Sequence, residues 1–218
     1  MKKVILFSVI CCVISLFSCQ NEEVYSCNEE VNEWIHSNLT EIRSMKRSEW
    51  KLLNENVKGP VFSAFTPQQK YVFWREKLNE VLKLGWTEKE RKHLTKLTDF
   101  VNQNERFFDI DNKATDTEME NIYVFLFKWE RYAMKELGWN KKIIGSIVAT
   151  GNKVINTEGG VERSNETEKI VKSSGENCNC NQTYDFCSSS EICRNKICDT
   201  QPYCGWFLMS ECNGLCEY

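Results

Sequence analysis

Eight of the last forty-one residues are cysteine: Cys178, Cys180, Cys187, Cys193, Cys198, Cys204, Cys212 and Cys216. So short a segment cannot bury enough apolar surface to fold unaided, and covalent staples take the place of a large core. A thiolate zinc centre is the competing use of so much sulfur. It fits less well, because no histidine lies among these cysteines and no C-x-x-C knuckle occurs there. Residues 178–218 are therefore expected to form a disulfide-rich module made outside the cytosol, with no metal and no other cofactor. Eight cysteines allow roughly a hundred pairings, among which sequence does not choose.

The N-terminus supplies the compartment. Met1-Lys2-Lys3 is a short positive start and Val4 to Phe17 an apolar run too short for a permanent span, together a secretion signal over residues 1–18. Leu16-Phe17-Ser18-Cys19 resembles a lipobox, in which the cysteine thiol receives diacylglycerol and becomes the mature first residue. Cys19 is thus the expected lipidation site, and its acyl chains would hold the protein to a membrane that it does not cross. Gln20, Asn21, Glu22 and Glu23 resemble an acidic surface-export tag, so residues 19–26 read as an acidic tether. The expected location is the outer membrane or cell surface of a Gram-negative bacterium. Cys27 is left over, and with no neighbouring His, Lys or Arg to lower its pKa it is expected to pack as a small apolar residue opening a helix.

Residues 27–150 read as a helical domain. Val31, Trp34, Ile35, Leu39, Ile42 and Met45 recur at three- and four-residue steps, which predicts a helix over about 27–46 with Ser26 and Glu29 as its capping box. A shorter element holding Trp50, Leu52, Leu53 and Val57 is expected to stop at Gly59-Pro60. Thr66, Pro67 and Gln69 then announce a helix that Gly85 should end, and Thr87 with Glu90 restarts one through Phe100. Tyr123 to Trp139 echoes Tyr71 to Trp86, which we read as reuse of the same Leu-Gly-Trp stop and not as a stacked repeat. Trp34, Trp50, Trp74, Trp86, Trp129 and Trp139 lie among Leu, Val and Phe and are expected mainly as core. From Gly151 to Asn177 the chain turns polar and loses its aromatics, the composition of a flexible linker. The expected fold class is mainly α, a helical domain followed by the small cysteine-rich module.

Charge and motifs exclude more than they assign. The formal net charge is −3 and the module carries more acids than bases, opposite to what nucleic acid demands. His36 and His93 lie in predicted helices away from any candidate nucleophile, and no phosphate loop, metalloprotease box or nucleophile elbow occurs. No enzyme is indicated. Tyr203, Trp206, Phe207, Leu208 and Met209 form an apolar run around and after Cys204 and before Cys212, the expected contact surface for a membrane or partner. The competing reading makes Trp206 and Phe207 the core of the module itself.

The cysteine frame, with Cys178-Asn179-Cys180, Cys187, Cys193, Cys198, Cys204-Gly205-Trp206 and Cys212-Asn213-Gly214-Leu215-Cys216, resembles the bacteriocin fulvocin C-related proteins. Thr66-Pro67-Gln68-Gln69-Lys70 leading to Trp74 and Leu78 is similar to their helical part. The resemblance implies a toxin-like module on an exported helical precursor, acting by contact with a target-cell membrane or surface receptor. A surface adhesion or recognition lipoprotein that binds a glycan or host protein is the alternative. Gly159-Gly160 is a place where a protease could release the module.

Overall fold

The computed structural model describes residues 23–109, 115–162, 178–187, 190–199 and 201–218. Cys19, the secretion signal and residues 163–177 of the expected linker lie outside the described residues. The protein is mainly α, with eight α-helices among the described residues followed by a small strand region carrying the disulfides.

The first helix corrects the sequence expectation. α1 (Glu29–Ser37) starts at Asn28, whose side chain accepts from the Val31 amide, while Ser26 only accepts from the Asn28 amide. It stops at Asn38, because that side chain donates back to the Trp34 carbonyl and competes with the helix for its own acceptors. A single helix over 27–46 is thereby divided into α1 and the short α2 (Leu39–Ile42).

α3 (Arg47–Trp50) leads to α4 (Glu55–Ser63), which runs through Gly59-Pro60 instead of stopping there. Pro60 removes one backbone hydrogen bond, yet its ring is buried and the lost bond is offset by packing. Gly59 has a different task. A Cβ there would lie inside the Tyr203 ring, so only glycine lets that side chain rest on α4.

α5 (Pro67–Val81) begins as its sequence dictates, with Thr66 and Gln69 satisfying each other's backbone amides. The Gln69 amide group also donates to the Ile42 and Met45 carbonyls at 3.0 and 3.2 Å, tying the end of α2 to α5. The expected left-handed stop at Gly85 is not formed: the helix unwinds from Leu82 through tight turns, and positive φ is found at Gly138 instead. α6 (Glu88–Gln103) carries the expected Thr87–Glu90 box and is followed by a 3-10 turn at Glu105–Phe108. α7 (Asp116–Glu136) is capped by Thr115 and Glu118, and α8 (Lys141–Val148) by Asn140.

The two Leu-Gly-Trp stops differ in backbone but meet in space. Trp86 and Trp139 are both buried with ring centroids 5.1 Å apart, and the Trp139 indole donates to Glu90 at 2.8 Å. Trp50, Trp74 and Trp129 are buried with them, whereas Trp34 is exposed. The core therefore claims all the helical tryptophans except the first.

The chain after α8 is not coil at its start. Gly151, Asn152 and Val154 are buried, and Val154 pairs with Val161 in a short hairpin whose turn holds Gly159 at φ +79°. The flexible linker expected from 151 is thus corrected for 151–162, which is built into the helical body. The same hairpin contains Gly159-Gly160, so that pair is no exposed processing site.

The C-terminal region forms two antiparallel ribbons. β1 (Ile192–Arg194) pairs with β4 (Leu215–Glu217), placing Cys193 opposite Cys216; β2 (Gln201–Cys204) pairs with β3 (Ser210–Cys212). Four disulfides use all eight module cysteines: Cys178–Cys198, Cys180–Cys193, Cys187–Cys216 and Cys204–Cys212.

Candidate functional site

The apolar run between Cys204 and Cys212 is where module and helices become one structure. Gly205 at φ +68° turns the chain inward, and Trp206 to Leu208 form a single 3-10 turn. Phe207 and Leu208 hold left-handed φ values of 54° and 58°, a conformation that costs roughly 1–2 kcal/mol for each such residue. The return is burial. Phe207 has no exposed surface and packs edge-on to Trp74 at 5.0 Å, Phe107 at 5.7 Å and Phe108 at 6.0 Å. Trp206 lies against Trp129 and Phe186.

The predicted contact surface is corrected accordingly. Trp206 and Phe207 are core, Leu208 and Met209 are partly buried against that core, and Tyr203 is half-buried on Gly59 of α4. The competing sequence reading, that the two aromatics are the core of the module alone, also falls short, because Phe207 packs on Trp74, Phe107 and Phe108 and Trp206 on Trp129, all outside the module. Sequence reasoning had no signal for this, since an apolar run between cysteines looks the same whether it faces solvent or a neighbouring domain.

Further contacts fix the seam. Phe186 lies over Gly145 of α8, and Lys141 at the start of α8 pairs with Asp185 at 2.7 Å. Burial alone would raise the Asp185 carboxyl, but the Lys141 hydrogen bond and charge and the Cys187 amide hold it below the usual carboxylate range. Tyr184 stacks on Tyr123 of α7, and the Ser63 hydroxyl reaches the Pro202 carbonyl. Cys27, outside the four disulfides, is exposed, and its thiol is raised by partial burial and by the Asp199 charge, so it is not an activated nucleophile.

A second constellation is built on α5 beside Trp74, with the Lys77 ammonium 5.5 Å from the centre of that ring. Lys77 is fully buried and donates to the Ser146 carbonyl at 2.7 Å, the Asn152 carbonyl at 3.0 Å and the Thr150 carbonyl, using all three of its protons. Burial and the nearby Arg47 pull this ammonium well below the ordinary lysine range, with Glu80 opposing them. Arg47 donates twice to the Gly151 carbonyl and once to Glu80 at 2.8 Å, while Lys58 joins Asn152 to Glu55. A Cβ at Gly151 would collide with Trp50 and Phe73. The three cations here serve the chain's own backbone and carboxylates, which makes the cluster a clamp on residues 150–152.

His93 is likewise structural. Its ring is sandwiched between Trp129 and Tyr132, and Nε2 meets the Trp129 carbonyl at 3.0 Å while the Trp129 indole donates to the His93 carbonyl. A carbonyl can only accept, so Nε2 carries the proton and Nδ1 is left buried without a partner among the described residues. Burial lowers its pKa to about 4 against the raising effect of the Trp129 bond. The sulfurs of Cys180, Cys187 and Cys193 lie within 4.8 Å of one another, the one such cluster among the described residues, but each is bonded in a disulfide and offers no thiolate to a metal.

The disulfides mark an exported protein, and no described helix is long and apolar enough to cross a membrane. Comparison with known proteins finds no family model, no curated protein and no solved structure that matches the chain.

Proposed function

We propose that this is an exported protein, lipid-anchored through Cys19 at the outer membrane or cell surface, that works by binding another surface and not by catalysis. The observation that carries the reading is the seating of Trp206 and Phe207 among helical side chains. With those two rings in the core, the disulfide module is a fixed part of the body, and the protein's working surface is the outside of the whole assembly. The polar clusters support the same reading, since Lys77, Arg47 and His93 are all engaged with backbone carbonyls.

The second reading is a bacteriocin-like module, favoured by the resemblance of its cysteine frame to the fulvocin C-related proteins. That mechanism requires the module to leave the helices and expose its aromatics. The experiment compares the intact oxidised protein with a preparation cut within residues 163–177, in glycan and ectodomain binding arrays and in liposome-leakage and killing assays. Saturable binding by intact protein with blank leakage supports recognition; leakage or killing confined to the cut preparation overturns it. Incorporation of a palmitate analogue that Cys19→Ser abolishes is expected for the anchor, and unlabelled native protein would remove that part of the proposal.

A further inference from the structure

α7 has an outer apolar face that nothing covers among the described residues. Ile122, Leu126, Trp129 and Ala133 point inward, and on the opposite side Val124, Phe127 and Met134 are exposed by 43, 56 and 43%. At 100° per residue these three share a stripe with Asp116, Glu120 and Arg131. The stripe is about 27 Å long. Its charges are ordered, acidic at the N-terminal end and basic at the C-terminal end, with the apolar residues between. Neither Asp116, Glu120, Arg131 nor Lys135 enters an ion pair among the described residues, and Arg131 lies over the Phe127 ring at 5.4 Å.

We propose that this face binds a second copy of the same chain, α7 against α7 and antiparallel. A two-fold axis level with the Phe125–Leu126 peptide sets Val124 opposite Phe127 and Glu120 opposite Arg131, each pair occurring twice by symmetry. One register thus satisfies the apolar centre and both symmetry-related copies of the Glu120–Arg131 pair, and the antiparallel arrangement opposes the helix dipoles favourably. A parallel pairing would place acid on acid. The contact is a single helix pair, smaller than a standard stable interface, so the dimer is a weak and salt-sensitive one.

The charges supply a test that does not depend on folding alone. In sedimentation runs of oxidised protein bearing Cys27→Ser, to keep intermolecular disulfides out of the readout, the average mass is expected to rise toward two copies as concentration climbs through the hundreds of micromolar. Glu120→Arg and Arg131→Glu, both at exposed positions, should each weaken self-association on the order of tenfold by setting like charges face to face. Mixing the two variants should restore a heterodimer, because the two reversed charges then meet across the axis with opposite sign while the other charge pair keeps its native residues. Unchanged thermal midpoints confirm the fold. A protein that stays monomeric, or single variants that associate as well as wild type, would overturn the proposal. So would failure of the mixture to recover, the result expected if residues 163–177 or a membrane occupied this face.

Discussion

Phe207 carries an unfavourable backbone so that its ring can reach Trp74, Phe107 and Phe108. Phe207→Ala is expected to cost about 3–5 kcal/mol through lost burial and the cavity left behind, read by denaturant unfolding of the whole protein. A loss below about 1 kcal/mol would mean that the ring is not in the core. His93 makes a different prediction. The folded imidazole takes a proton only near pH 4, whereas the unfolded one does so near 6.5, so between those values the unfolded chain binds more protons. Stability should fall as pH drops through that window, by up to about 3 kcal/mol. His93→Phe should flatten this part of the acid limb, and an unchanged slope would assign the acid sensitivity to carboxylates.

At the level of elements, the sequence is legible at the starts of α5 and α6 but not at that of α1, where Asn28 caps in place of Ser26. The boxes at Thr66–Gln69 and Thr87–Glu90 are present because cap and partner lie within three residues and need no tertiary help. Helix ends are less legible. Gly85 and Gly138 occupy the same Leu-Gly-Trp context, yet only Gly138 has positive φ, since the turns after α5 and α7 are set by how Trp86 and Trp139 meet in the core. Gly138→Ala is expected to destabilise by about 1 kcal/mol, while Gly85→Ala, with open space around its Cβ position, should be neutral or slightly stabilising. Equal effects at the two sites in thermal unfolding would contradict the assignment. Pro60 and Asn38 mislead for a similar reason: local rules rank a proline as a stop and an asparagine as tolerable, but burial keeps the first in α4 and a side-chain bond to Trp34 ends α1 at the second.

At the scale of the molecule, the disulfide region and the helices share one core, with Trp206 and Phe207 on the same contact network as Trp74 and Trp129. A chain ending after residue 162 should therefore lose cooperative unfolding or melt far below the full protein, and reduction of the four disulfides should destabilise the helices as well as the ribbons. Helical signal that survives either treatment at the original midpoint would show the two parts to be independent. Burial of the run from Tyr203 to Met209 also moves the candidate contact surface from the module to the outside of the body, where α7 presents Val124, Phe127 and Met134.

The sequence by itself determined the helical class, the starts of α5 and α6, the core role of most tryptophans and the commitment of eight cysteines to covalent pairing. Each of these follows from spacing along the chain or from composition, and is settled over a few residues. Only the tertiary structure decided which cysteines pair, that residues 150–152 are clamped by Arg47, Lys58 and Lys77, and that an apolar run between cysteines is core and not surface. Those outcomes depend on partners far apart in the chain, as Phe207 is from Trp74, and hydrophobic burial has no direction that a local pattern could record.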